Sequence, residues 1–139
     1  MIVLDTSGLL AAVDGTHTNH VRVTRCIEAD RGPFLLSPFV AAEVDYLLAA
    51  RMGVAEELRF LGAVADGSFH LECFEPEEIA LMREVVERYK DQNIGLSDAS
   101  LVILAARAGT TRVLTFDERH FRVLRPLRGR AFTLLPADA

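Results

Sequence analysis

Short apolar runs alternate along this chain with segments of helical length, and that alternation restricts the fold more than any other feature. Ile2-Val3-Leu4 opens the series, Phe34-Leu35-Leu36 repeats it, Ser68–Phe74 alternates in the manner of a third strand, and Arg112–Phe116 and Phe132–Leu135 supply a fourth and a fifth. Between them the periodicity predicts helices over Ser7–Val13, His20–Ala29, Pro38 to about Ala50, Val54–Ala65, Pro76–Tyr89, and from Ser97 or Asp98 to Gly109. Ser37-Pro38 is a helix-start signature, with Ser as N-cap and Pro at the first helical position. Strands alternating with helices predict an α/β fold with a parallel sheet of four or five strands covered on both faces, and right-handed crossovers carry every strand's carboxyl end to one edge. Asp5 stands at that edge. It ends the first strand where open α/β sheets place their ligands, and Thr6, Ser7 and Gly8 turn the chain into the next helix.

A length of 139 residues is that of one ordinary domain, so residues 1–139 are expected to form a single unit. Half of the residues are apolar, which excludes a disordered chain, yet no apolar run approaches the roughly 20 residues of a membrane span. The first strand begins directly after Met1, with no basic and apolar leader, so the expected location is the cytoplasm and no membrane partner is expected. Cys26 and Cys73 are the only cysteines and are expected to be reduced, buried thiols. The net charge of −5 does not advertise a nucleic-acid binder. Six arginines nevertheless crowd the segment from Arg112 to Arg130, which permits a basic patch on one face.

Four acids fall where this frame can bring them together. Asp5 and Asp117 follow strands, Asp98 lies in the first turn of the most apolar helix, and Glu43 falls on what the periodicity marks as the buried stripe of its helix, with Val40, Val44 and Leu47. Each has an ordinary reading as well. Asp5 and Asp98 would serve as helix caps, Asp117 as a turn residue, and Glu43 as a partner for an arginine. Clustered carboxylates stay ionised only beside a compensating charge, and an oxygen-only donor set suits Mg²⁺ or Mn²⁺. Such a cation can position a phosphodiester and lower the pKa of a bound water, the chemistry of nucleic-acid backbone hydrolysis. His17 and His20 have no third ligand at a useful spacing and read as surface residues, and His120 reads as a packing or capping residue, with a substrate contact as the lesser reading.

Taken together, Leu4-Asp5-Thr6-Ser7-Gly8-Leu9, Ser37-Pro38 with Ala42-Glu43, Gly95-Leu96-Ser97-Asp98-Ala99-Ser100 and Leu114-Thr115-Phe116-Asp117 resemble the PIN domain, and within it the VapC-type ribonuclease toxins. Each motif is weak alone; their order and spacing over nearly the whole chain carry the likeness. The resemblance implies a three-layer α/β/α sandwich and an endoribonuclease dependent on Mg²⁺ or Mn²⁺, with Asp5, Glu43, Asp98 and Asp117 as the metal-holding quartet and Ser7 as a further site residue. It also implies an RNA substrate such as tRNA or rRNA, a homodimer, and a small antitoxin protein that covers the acidic site. Two other readings of such a fold are an RNA-processing nuclease that is not a toxin and a non-catalytic module that binds RNA or protein. An aspartyl phosphotransferase is a weaker rival. It leaves Glu43 unexplained, and the second Asp expected two residues after Asp5 is Ser7.

Overall fold

The computed structural model describes all 139 residues. Five parallel strands form one sheet: β1 (Ile2–Leu4), β2 (Phe34–Leu36), β3 (His70–Leu71), β4 (Arg112–Leu114) and β5 (Thr133–Leu135). Their spatial order is β3-β2-β1-β4-β5, so the N-terminal strand is the central one. Val3 pairs with Leu35 on one side and with Val113 on the other. Successive strand residues point to opposite faces, and Ile2, Val3 and Leu4 are all fully buried, so helices cover both sides of the sheet.

The seven helices are α1 (Thr6–Val13), α2 (His20–Glu28), α3 (Pro38–Met52), α4 (Val54–Ala65), α5 (Pro76–Arg88), α6 (Leu96–Ala108) and α7 (Glu118–Phe121). α1 packs on α2 and α3, α3 on α4, and α5 on α6. α6 is buried from Ala99 through Ala105, as its uninterrupted apolar sequence requires. Ser37 caps α3 by accepting the Phe39 N–H at 3.2 Å, and its Oγ also meets Ser100 Oγ at 2.7 Å inside the core. That buried hydroxyl pair joins the start of α3 to the first turns of α6. Gly8 brings α1 onto β4 at a separation no side chain would permit, since a Cβ built there would stand 2.3 Å from the Leu114 carbonyl oxygen.

Several expectations need correction. The alternating run Ser68–Phe74 yields only the two-residue β3, with both residues exposed at the sheet edge. With a single neighbouring strand it has little ladder to join, and the chain departs after Glu72, where the Arg107 guanidinium takes the Cys73 carbonyl, Glu72 and Glu78 while lying 5.0 Å from the centre of the Phe74 ring. α6 starts at Leu96 with Gly95 as N-cap, so Asp98 is an interior residue of its first turn and not the cap. β4 stops at Leu114, because the Thr115 and Asp117 side chains turn the chain into α7, a helix too short to leave a periodic signature. The cysteines are free, but Cys26 is half-buried and Cys73 exposed. The arginine cluster is partly consumed in local bonds, Arg112 to Asp30 and Arg122 to Glu118 and Asp138. No helix is long and apolar enough to cross a membrane.

Candidate active site

Asp5 occupies the N-cap position of α1, yet its side chain caps nothing. It is 5% exposed, and its Oδ2 accepts hydrogen bonds from Ser7 Oγ at 2.9 Å and from Thr115 Oγ1 at 2.7 Å. Both hydroxyls are themselves held by the strand-to-helix turn beyond β4: Ser7 Oγ accepts the Phe116 N–H and Thr115 Oγ1 accepts the Asp117 N–H, each at 2.9 Å. The carboxylate is thus oriented at once from the first turn of α1 and from the turn that follows β4. Burial raises its pKa, the Thr115 and Ser7 bonds oppose that shift, and the charge of Asp117 adds to it.

Asp98 reaches the same place from α6. Burial lifts it to about 6, the Asp5 charge pushes in the same direction, His120 opposes and Asp117 adds to it. Asp117 caps α7, its Oδ1 accepting the His120 N–H at 3.1 Å, while Oδ2 lies 3.0 Å from the imidazole Nδ1. That same Nδ1 lies 3.3 Å from Asp98 Oδ2, so His120 stands between the two acids. Glu43 comes from α3, though not for the reason its sequence context suggests. The buried stripe of α3 is Val40, Val44 and Leu48, and Glu43 rides on the exposed flank without a salt bridge.

Asp5, Glu43, Asp98 and Asp117 line one open cleft of about 450 Å³ at the carboxyl edge of the sheet, together with Thr6, Ser7, Arg51 and His120. The four acids and Ser7 therefore share one site. Thr115, which holds Asp5 from beneath, and Arg51 were not singled out from sequence, and His120, for which a substrate contact was the lesser reading, lines the cleft. Only His120 carried a usable signal, its place one helical turn after an acid that caps. His17 and His20 form no metal pair; His17 Nδ1 accepts the Asn19 N–H at 3.0 Å, and His20 Nδ1 lies 2.9 Å from the Ala11 carbonyl. Asp91 is exposed in the short 3₁₀ turn Lys90–Gln92, outside the cleft.

No three of the acids and histidines are arranged as a ready-made coordination cluster. The donor set still fits a hard divalent cation that keeps much of its water. Apart from the His120 imidazole it is carboxylate and hydroxyl oxygen, burial raises the proton affinity of the two deepest acids, and Thr6 Oγ1 is buried at the cleft without a partner.

Residues 2–125 match the family model of the PIN domain. The chain belongs to the PIN-domain family, among its VapC-type members. Ribonuclease VapC26 of Mycobacterium tuberculosis is 42% identical to it over 135 residues, a span of 97% of this chain and 100% of that protein. Among solved structures, M. tuberculosis VapC20, described as a sarcin-ricin loop cleaving toxin, superposes with a TM-score of 0.79 at 18% identity, covering 93% of this chain and 100% of that one. FitAcB from Neisseria gonorrhoeae superposes with a TM-score of 0.61 at 19% identity, over 88% and 91% of the two chains. The two superpositions agree with the α/β/α plan described above.

The position of Asp98 has a measurable consequence for the metal-free protein. Its pKa lies near 6 in the fold against a reference of 3.8, so between those values the folded state holds a proton that the unfolded chain releases. Stability therefore falls as pH rises through that window and its loss is complete above it. In EDTA, lowering the pH from about 7 to about 5 is expected to stabilise wild type over Asp98→Asn by roughly 1 kcal/mol after solvent screening, a few degrees in Tm. Identical pH trends in the two proteins would remove Asp98 as the source.

Proposed function

We propose that this chain is a Mg²⁺- or Mn²⁺-dependent endoribonuclease that hydrolyses phosphodiester bonds in tRNA or rRNA, and that it is the toxin of a toxin–antitoxin pair. The observation that carries the reading is the meeting of four carboxylates from four separate elements in one solvent-open cleft. Its likeness to a relative named as a ribonuclease supports it. Residues 1–139 act as a single unit, working in the cytoplasm as a homodimer, with a small antitoxin protein covering the acidic cleft until it is removed.

Asp5, Asp98, Glu43 and Asp117 would hold the cation. When bound, it supplies the positive charge that polarises the scissile phosphate and acidifies an attacking water. The chain's own residues set the geometry. Ser7 and Thr115 fix one carboxylate oxygen of Asp5 and leave the other free. Asp98 gains from the N-terminal dipole of α6, which favours the ionised form that a cation requires. Arg51, exposed at the rim and without an ion pair, can hold a non-bridging phosphate oxygen and offset the repulsion between RNA and an acidic cleft.

The test is cleavage of a panel of tRNA and rRNA fragments by folded, antitoxin-free protein with Mg²⁺, with Mn²⁺ and with EDTA. Discrete cuts that require either cation are expected. Equal cutting in EDTA would refute metal dependence, and no cutting of any fragment with either cation would favour the binding-only reading.

A further inference from the structure

A second cleft of about 220 Å³ opens beside the acidic one and shares Ser7, Leu10, Leu47 and Arg51 with it. The chemistry described above uses none of the residues that distinguish it. His17 and Phe116 are both half-exposed, and their rings stack with centroids 6.3 Å apart at 26°. Phe116 directly precedes Asp117, and its N–H is held by Ser7 Oγ, so this ring is anchored to the hydroxyl that orients Asp5. Asp14 closes the far side. Its Oδ1 is spent on the Thr16 N–H and hydroxyl, and no donor within the chain reaches Oδ2.

We propose that this cleft is a nucleobase subsite: an unpaired base beside the scissile phosphate lies against the His17–Phe116 pair, Arg51 bridges to the adjoining phosphate, and Asp14 Oδ2 accepts an N–H from the base. The proposal rests on the ribonuclease reading and names what that site selects. Aromatic faces are where proteins bind splayed-out RNA bases, and the stacking tolerates any base while hydrogen bonds choose among them. A carboxylate accepts and cannot donate, so the subsite prefers a base that turns N–H groups toward Asp14 and resists one that presents only carbonyl oxygens. Cutting is confined to unpaired segments, because within a duplex both faces of a base are already covered.

Four variants probe the subsite without dismantling the fold, Asp14→Asn among them because its amide oxygen still accepts the Thr16 N–H and hydroxyl. His17→Asn removes the ring but keeps a side-chain acceptor for the residue-19 N–H in an Asx turn, Phe116→Leu keeps an apolar side chain on the core, and Arg51→Gln keeps a good helix former in α3. With single-stranded oligoribonucleotides that wild type cuts, His17→Asn and Phe116→Leu are each expected to raise KM about tenfold or more, with the loss falling on KM in preference to kcat. Arg51→Gln is expected to weaken all RNA sequences alike, and Asp14→Asn to change which base is favoured next to the cut. A binding arm needs no turnover. Asp5→Asn protein with Mg²⁺ should quench 2-aminopurine placed beside the cut, and Asp5→Asn/His17→Asn should not. Cleavage by wild type with unchanged KM and base preference in the variants would overturn the subsite while leaving the nuclease standing. Variants that keep their RNA kinetics but lose affinity for an antitoxin would assign the cleft to a protein partner and overturn it as well. Quenching without cleavage by wild type would support the subsite and strike the ribonuclease reading instead.

Discussion

Asp5→Asn is expected to abolish RNA cleavage without weakening the fold. The loss should exceed the roughly 100-fold typical of a residue that only orients a metal ligand, since Asp5 is proposed to hold the cation itself. Asparagine matches the carboxylate in size, and its amide oxygen can accept the Ser7 and Thr115 hydroxyls that now bond to Oδ2. What it removes is a buried group whose ionised form is disfavoured by burial and by the neighbouring Asp117. In EDTA the variant should therefore melt no lower than wild type, and higher at neutral pH. Added Mg²⁺ should raise the wild-type Tm and leave the variant's unchanged. Single-turnover cleavage and thermal melts with and without Mg²⁺ measure all of this. Full activity would remove Asp5 from the mechanism, and a clear fall in metal-free Tm would show that the charge is structurally satisfied.

Gly8→Ala is expected to be the most damaging single methyl group in the chain. Its Cβ would stand 2.3 Å from the Leu114 carbonyl oxygen and 2.6 Å from the carbonyl carbon, both backbone atoms of a strand hydrogen-bonded to β1 and β5. Alanine gains about 1 kcal/mol of helix propensity. That gain is overwhelmed, because α1 must lift from β4 and in doing so breaks the Ser7 bond to the Phe116 N–H. A loss of at least about 3 kcal/mol is expected, with any folded remainder inactive. Gly62→Ala is the control. It lies in α4 with nothing within 4 Å of a built Cβ, so the same change there should be neutral or stabilise by up to about 1 kcal/mol. Urea denaturation of the two variants decides the matter, and equal midpoints would refute the contact argument.

The buried centre of the fold was legible in the sequence because β1 and β2 are three-residue apolar runs that end at a polar residue and β4 carries Val113-Leu114, and the edge rule then placed Asp5 and Asp117 together. Glu43 was found by a faulty argument. Leu47 was taken into the buried stripe where Leu48 belongs; the two lie about 100° apart around the helix, so with Val40 and Val44 unchanged the true stripe is centred farther from Glu43. The acid reaches the cleft from the exposed flank of α3, where it needs no partner. Asp117 is the turn residue of its ordinary reading, with one oxygen capping α7, and it also lines the cleft, where its other oxygen faces His120. The site's hydroxyl framework was less accessible. Thr115 was indistinguishable from a strand residue, because its task depends on Asp5 lying across the sheet, a pairing that no local pattern encodes. Arg51 lay just beyond the expected end of its helix near Ala50; in the structure α3 continues to Met52 and carries it between two clefts.

The hydrogen bond between Thr115 and Asp5 spans 110 positions of the chain, and β1 lacks one of its two neighbours until β4 arrives. Most of the polypeptide can emerge from a ribosome before these partners exist. The N-terminal strand must wait, unpaired along one side, for the last quarter of the sequence. Closing so long a loop costs entropy that local contacts do not, so the acidic cleft depends on the least local strand pairing of the sheet. A synthesis interrupted before Arg112 leaves Asp5 with neither β4 beside it nor its orienting threonine, and the incomplete product lacks the side of the cleft that Asp117 and His120 supply.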